Sequence, residues 1–166
     1  MADVTVRLVQ SDAELELAFD IAGGVFTLAI DHHDRRFERV AAAWPTDGEL
    51  MYVAEYDGAI VGAALGIRVS PDGVLLAMLA VLPEHRGGTG RHLVEAVEEA
   101  ASRLGVTGIA LGAVEQSRAF YRKLGYTGRS RMRKSMAVLA QYRYGDPVTR
   151  QAKLKALRAR RSARTT

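Results

Sequence analysis

Residues 74–82 read Val-Leu-Leu-Ala-Met-Leu-Ala-Val-Leu, a wholly apolar run without a charge. Pro83 follows at once, and Gly87, Gly88 and Gly90 crowd the next few positions. The run is well short of the roughly 20 apolar residues that a membrane span needs. It has the length and composition of a strand covered on both faces. Pro83 lacks the N–H that would continue a ladder, so the strand ends there. From Thr89 onward Leu93, Val94, Val97, Ala100, Ala101 and Leu104 recur at helical spacing, and Gly105 closes the helix. Glu95, Glu98 and Glu99 are assigned to its outer face. The chain is therefore organised around a strand, a glycine-rich turn and a helix, within a mixed α/β domain.

The flanks agree with that centre. Val4 to Val9 reads as a first strand, and Ser11 with Glu14 as a capping box. The helix so capped is expected to stop at Gly23-Gly24. A second helix is expected around Asp34 to Ala43, ended by Trp44-Pro45. Glu49 to Tyr56 and Ala59 to Val69 are strands joined by the tight Asp57-Gly58 turn, and Pro71-Asp72-Gly73 turns the chain into the central strand. Val106 to Ala113 is a further apolar strand. A short helix, Glu115 to Leu124, ends at Gly125, and 126–127 and 131–139 read as two last strands. Asp146-Pro147 begins a final short, basic helix.

With 166 residues, 48% apolar and 25% charged, the chain suits one folded domain with one core, which excludes whole-chain disorder. There is no cysteine. Disulfides, zinc–thiolate sites and a cysteine nucleophile are thereby excluded. His32, His33, His85 and His92 lack metal-ligand spacing, so no metal is expected. The net charge of +4 is uneven: seven basic residues and no acid follow Asp146, whereas residues 1–146 hold 16 basic and 19 acidic residues. The high pI thus belongs to the tail. The N-terminus has no basic-then-apolar leader pattern, and the expected location is the cytoplasm.

The turn at 83–90 is physically an anion site. Glycines let a ligand approach the backbone, the first N–H groups of the helix have no internal partner, and the helix dipole is positive there. Arg86 and Arg91 add charge. A dinucleotide-binding turn shares this grammar, but Gly112-Ala113 stand where its ribose-binding acid is wanted. The Walker phosphate loop requires a lysine that this turn lacks.

About 30 residues on stands Ser117-Arg118-Ala119-Phe120-Tyr121-Arg122-Lys123-Leu124-Gly125-Tyr126. The turn and this segment together resemble the GNAT (GCN5-related N-acetyltransferase) superfamily of acyl-CoA N-acyltransferases, over residues 3 to 139. The resemblance implies a central, mostly antiparallel sheet of six to seven strands, splayed between its central strands and flanked by helices. It implies an acetyltransferase domain at 1–140 and a basic C-terminal helix or tail at 141–166. Acetyl-CoA is the implied cosubstrate and an amine, on a small molecule or a protein, the implied acceptor. The backbone near Leu79 and Val81 would bind the pantetheine arm between the splayed strands. His85, Arg86, Gly87, Gly88, Thr89, Gly90 and Arg91 would surround the pyrophosphate, with Ser117 and Phe120 also on the cofactor. Matching the family's glycines places His85 where the family has Arg or Gln; matching on Arg86 leaves the loop one residue short. Val114, Glu115 and Gln116 stand where many members have an asparagine. Tyr121 is the implied proton donor to the leaving thiolate.

A general base is harder to read. The central strand holds no acid, which leaves Asp31, His32, His33, Glu55 and Glu84 as candidates. Asp31 and Asp34 flank the histidines in the segment that shapes the family's acceptor pocket. The lack of a central-strand acid also fits a second reading, a non-catalytic acyl-CoA-binding module. Its basic tail would then hold RNA or an acidic protein. No aromatic residue interleaves the tail's charges, so sequence-specific nucleic-acid reading is not expected. No membrane partner is expected, and a homodimer is compatible with the family's habits.

Overall fold

The computed structural model describes residues 3–26 and 30–135. Its elements in chain order are β1 (Thr5–Leu8), α1 (Asp12–Phe26), α2 (Ile30–Asp47), β2 (Met51–Tyr56), β3 (Ala59–Ser70), β4 (Gly73–Val81), α3 (Thr89–Arg103), β5 (Gly108–Gly112), α4 (Arg118–Lys123), β6 (Thr127–Gly128) and β7 (Arg131–Ser135). Short 3-10 turns at Gly48–Leu50, Pro83–His85 and Glu115–Ser117 lead into β2, the glycine turn and α4. The strands form one seven-stranded sheet in the order β1-β2-β3-β4-β5-β7-β6. Every pairing is antiparallel except β4 with β5.

Two apolar layers cover the sheet. On one face, Leu15, Ala18 and Phe19 of α1 and Val40 of α2 pack on Met51, Val53, Leu65 and Met78. Phe19 and Phe37 meet edge to face at 5.1 Å. On the other face, Leu93, Val94, Val97, Ala100 and Ala101 of α3 pack on Leu50, Ala64, Leu76, Ile109 and Leu111. Each such leucine or valine contributes about 1.5–3 kcal/mol by leaving water. The helical stripe anticipated for α3 is therefore its buried face.

The first strand and helix are pinned by charge as well. The Ser11 hydroxyl accepts the Glu14 N–H at 3.3 Å, and Glu14 accepts the Gln10 N–H at 2.8 Å. The box thus closes one residue earlier than the usual pattern. Arg7 on β1 bonds both Glu14 and Glu55, each at 2.7 Å. The Arg7 hydrogen bond holds the Glu14 carboxyl below its ordinary range, and the guanidinium proton is held more tightly in return.

Three expectations are corrected. Helix α1 runs through Gly23-Gly24 to Phe26. Glycine weakens a helix by about 1 kcal/mol without forbidding it, and buried Ala22 beside partly buried Ile21 holds this turn on the core. Helix α2 begins at Ile30 and passes Trp44-Pro45 to Asp47. Pro45 lies in the last turn, where one lost hydrogen bond matters least. Trp44 packs on the core, and Asp47 accepts the Arg68 N–H at 3.1 Å. Glu98, assigned to the outer face of α3, is buried at 2% exposure. Its partners, described below, make that burial tolerable. The expected strand end at 136–139 and the helix from Asp146 lie outside the described residues.

Candidate active site

The site begins with a change of pairing along β4. Gly73 to Leu76 pair in parallel with Gly108 to Leu111 of β5. The register with β3 shifts between Leu65↔Met78 and Gly66↔Leu76, so Ala77 is an extra residue on β4. A bulge of this kind bends the strand and increases its twist. Beyond it β4 pairs with β3 alone, and β5 ends at Gly112. The edge of β4 from Ala77 to Val81 is therefore open.

The direction of the backbone groups on that edge follows from alternation. Leu82 donates its N–H to Val61 on the β3 side at 2.8 Å. In an antiparallel pair alternate residues direct both backbone groups to the same neighbour. Leu82 and Ala80 face β3, so Leu79 and Val81 present N–H and C=O to the open side. The Arg86 side chain takes up the Val81 carbonyl at 3.4 Å from that side. Gly62 lies behind this segment. A Cβ there would stand 2.9 Å from the Ala80 carbonyl oxygen and 3.1 Å from the Val81 side chain, so only glycine fits without a shift.

A cleft of about 570 Å³ opens along the edge. Leu79, Ala80 and Val81 form one wall; Gln116, Ser117, Phe120 and Tyr121 form the other. Arg86 and Gly90 close the end at the turn, and Val25 of α1 reaches in from the far face. Gly88 has φ +98°, a left-handed conformation that other residues seldom adopt. It makes the bend that starts α3, and no side chain caps the helix. The unpaired first-turn N–H groups thus remain available at the cleft's mouth.

Sequence-identified residues separate into two groups. Leu79, Val81, Arg86, Gly90, Ser117, Phe120 and Tyr121 line the cleft. His85, Gly87, Gly88, Thr89 and Arg91 belong to the turn and helix start without lining it. His85 packs its ring on Tyr56 at 4.8 Å. Arg86, one residue on, takes the cleft position. Arg91 pairs with Glu95 at 2.8 Å on the exposed face of α3, and Thr89 is buried.

Tyr121 is 7% exposed. Its ring meets Phe120 at 5.1 Å and Tyr126 at 5.8 Å, both edge to face. Among the described residues its hydroxyl has no hydrogen-bond partner. Burial pushes its pKa up to about 12, so it keeps its proton at neutral pH. A buried phenol without a partner, on the wall of a cleft, is placed to donate that proton to a ligand.

Behind Tyr121 lies a cluster that sequence reasoning missed. Lys134 on β7 contacts Glu98 at 2.7 Å, and the Tyr126 hydroxyl donates to the same carboxylate oxygen at 3.2 Å. The Lys134 ammonium stands 5.4 Å from the centre of the Tyr126 ring. Burial first, and the Glu98 charge second, raise the Tyr126 pKa. The pair joins α3 to β7 and supports the ring on which Tyr121 rests. Glu98 falls between Val97 and Ala100 in the apolar stripe, the one available hint. Val25, some 50 residues from the rest of the cleft, carried none.

Neither Glu55 nor Glu84 lines the cleft. Glu55 is held by Arg7, and Glu84 is exposed in the turn. Asp31, His32 and His33 lie on the backbone of α2, and their side chains are outside the description. Among the described residues no group of acids and histidines could hold a metal ion, and no helix is long and apolar enough to cross a membrane.

A mixed sheet splayed at its one parallel pair, with a glycine turn and a tyrosine helix at the opening, is the fold of the acyl-CoA N-acyltransferases. Residues 47–128 match the family model of the acetyltransferase (GNAT) domain. The chain thus carries a GNAT acetyltransferase domain. Several solved structures share the fold. Ard1 from Thermoplasma volcanium is 20% identical, with 80% of this chain and 97% of that one covered at a TM-score of 0.65. Naa50 from Arabidopsis thaliana, solved with the bisubstrate analogue CoA-Ac-MVNAL, is 21% identical, covering 80% and 98% at 0.63. YncA from Salmonella typhimurium, a putative acetyltransferase solved with acetyl-CoA, is 22% identical, covering 81% and 94% at 0.61. No curated protein matches the sequence.

Proposed function

We propose that this chain transfers an acetyl group from acetyl-CoA to an amine by direct attack within a ternary complex. The observation that carries the reading is the open edge of β4. Leu79 and Val81 present backbone groups to a cleft that runs from the glycine turn to an unpartnered phenol. Buried backbone groups demand partners, and an extended amide-bearing arm supplies them as an added strand would. The same support comes from two neighbours of this fold that were solved with CoA-type ligands.

Acetyl-CoA supplies an activated acyl group; the remaining work falls to the chain. The turn from Arg86 to Gly90 and the first N–H groups of α3 hold the anionic end. A backbone N–H on the open edge of β4 stabilises negative charge on the acyl oxygen. Tyr121 donates its proton to the departing thiolate and is afterwards reprotonated from solvent. With no acid or histidine among the described residues of the cleft wall, the proton of the amine leaves through water or a group on α2. Residues 1–140 form the catalytic domain in this reading, and 141–166 a basic appendage. The test is thiol release from acetyl-CoA across an amine panel. Turnover that falls in Tyr121→Phe while acetyl-CoA binding is retained supports the assignment. Full turnover without the hydroxyl removes Tyr121 from the chemistry.

A further inference from the structure

A second cavity, of about 560 Å³, lies where β4 leaves β5, on the face of the sheet covered by α1 and α2. Its floor is Val69, Leu75, Ala110 and Gly112, and its charged wall is Arg39, Arg131 and Arg133. Arg131 and Arg133 are two apart on β7, so they share a face. Between them Met132 is fully buried on the opposite side. Their partners across the ladder are Gly112 and Ala110, which leaves room above the sheet for the long side chains. Arg39 reaches the cavity from α2. Among the described residues none of these three guanidinium groups has an ion pair or side-chain hydrogen bond, and no carboxylate lines the cavity. This contrasts with Arg7, Arg91 and Arg103, each of which is matched to a glutamate.

The cavity adjoins the acyl-transfer cleft. Gly112 belongs to the cavity and Val114, two residues on, to the cleft. Leu75 lies two residues before the bulge at Ala77, roughly 7 Å along the strand. A molecule seated here would have one end at the crotch of the splayed strands and the other among the arginines. Planar guanidinium forks match oxyanions in a bidentate way, and three exposed, unpaired guanidiniums around an apolar floor select against a cationic tail.

We propose that this cavity is the acceptor subsite, and that the acceptor is an amine of about amino-acid size whose far end carries an oxyanion, a carboxylate or a phosphate. The proposal rests on the acetyltransferase reading and narrows it: polyamines and other purely cationic amines are poor acceptors. Recognition by arginine also predicts strong salt dependence of acceptor binding.

The experiment measures binding of products and turnover of acceptors, with CoA or acetyl-CoA present at saturation. The binding probes are N-acetylglutamate, N-acetylglycine and N-acetylphosphoethanolamine against N-acetylglycinamide and N-acetylputrescine. The expected result is tenfold or greater preference for the anionic probes. Arg131→Gln with Arg133→Gln should abolish the preference and leave the affinity for CoA within twofold. Tighter binding of the carboxylates than of the phosphate assigns the carboxylate as the recognised group, and the reverse assigns the phosphate. Equal binding of neutral and anionic probes, or preference for N-acetylputrescine, overturns the proposal; so does failure of every anionic probe to bind. Failure of CoA itself to bind overturns the acetyltransferase reading instead.

Discussion

The sheet divides at the splay into halves that are held together differently. From β1 to β4 the strands are antiparallel, and β2, β3 and β4, of six, twelve and nine residues, are mostly apolar. Val53, Ala63, Ala64 and Leu65 are wholly buried, and charge enters through Arg7 with Glu14 and Glu55 at the β1 edge and through Arg68 near the end of β3. Beyond the splay, β5, β6 and β7 have five, two and five residues. Arg131 and Arg133 are exposed on β7, and the half is anchored by the buried Glu98–Lys134 pair and Tyr126. Burial of aliphatic surface tolerates changes of side-chain shape at constant volume. A buried ion pair has a defined geometry, and removing one member strands the other. The half that carries Tyr121 is thus the more precisely positioned and the easier to break.

The largest expected effect follows from that difference. Lys134→Met leaves Glu98 buried without its cation and should cost about 3–5 kcal/mol in urea unfolding. The double variant Lys134→Met, Glu98→Leu should recover most of the loss. A single variant as stable as the parent would show that the two halves are held alike. Next is Tyr121→Phe, expected to lower kcat about a hundredfold with little change in unfolding, because the hydroxyl has no partner to lose. In the apolar half, Gly62→Ala should cost about 1–3 kcal/mol through crowding against Ala80 and Val81, and should weaken acetyl-CoA binding by displacing the open edge.

Alkaline titration reads the buried tyrosines, among which Tyr52 of the first half is also raised by its burial. Tyr121 keeps its proton up to a pKa of about 12 when folded, against about 10 unfolded. The unfolded chain therefore loses its proton first as pH rises. Stability is intact below pH 10 and falls between pH 10 and 12, by about 2–3 kcal/mol for this group. Tyr126, raised in the same direction, adds to the loss. Tyr121→Phe should flatten part of this decline, measured as midpoint against pH. The smallest effect is expected from Arg91→Gln. Its pair with Glu95 is exposed, so neither stability nor turnover should change measurably if, as its placement indicates, it stays outside the cleft.

Much of the architecture was legible because it rests on local rules. The apolar run at 74–82, Pro83 and the three glycines define β4, the turn and α3 within a residue or two. Asp57, with φ +49°, and Gly58, with φ +78°, make the hairpin that their sequence announces. What was not legible depends on contacts between distant residues. Nothing near Gly23-Gly24 or Pro45 reports that packing on the sheet carries both helices past their stop signals. Glu98 reads as solvent-facing until Lys134, 36 positions on, is brought against it. The side chain at the cleft's mouth was open between His85 and Arg86 in the sequence. Tyr56, from the hairpin tip, occupies His85, and Arg86 faces inward. Val25 and Arg39 reach their cavities only through the docking of α1 and α2.

The most direct test of the central claim is a thermal melt of the full chain with acetyl-CoA, CoA or NAD. A ligand present at 100 times its dissociation constant stabilises by about 2.7 kcal/mol. The account predicts a clear rise in Tm with acetyl-CoA and with CoA, and none with NAD. No rise with either CoA species would mean that the open edge of β4 does not receive an acyl-CoA, and would contradict the account.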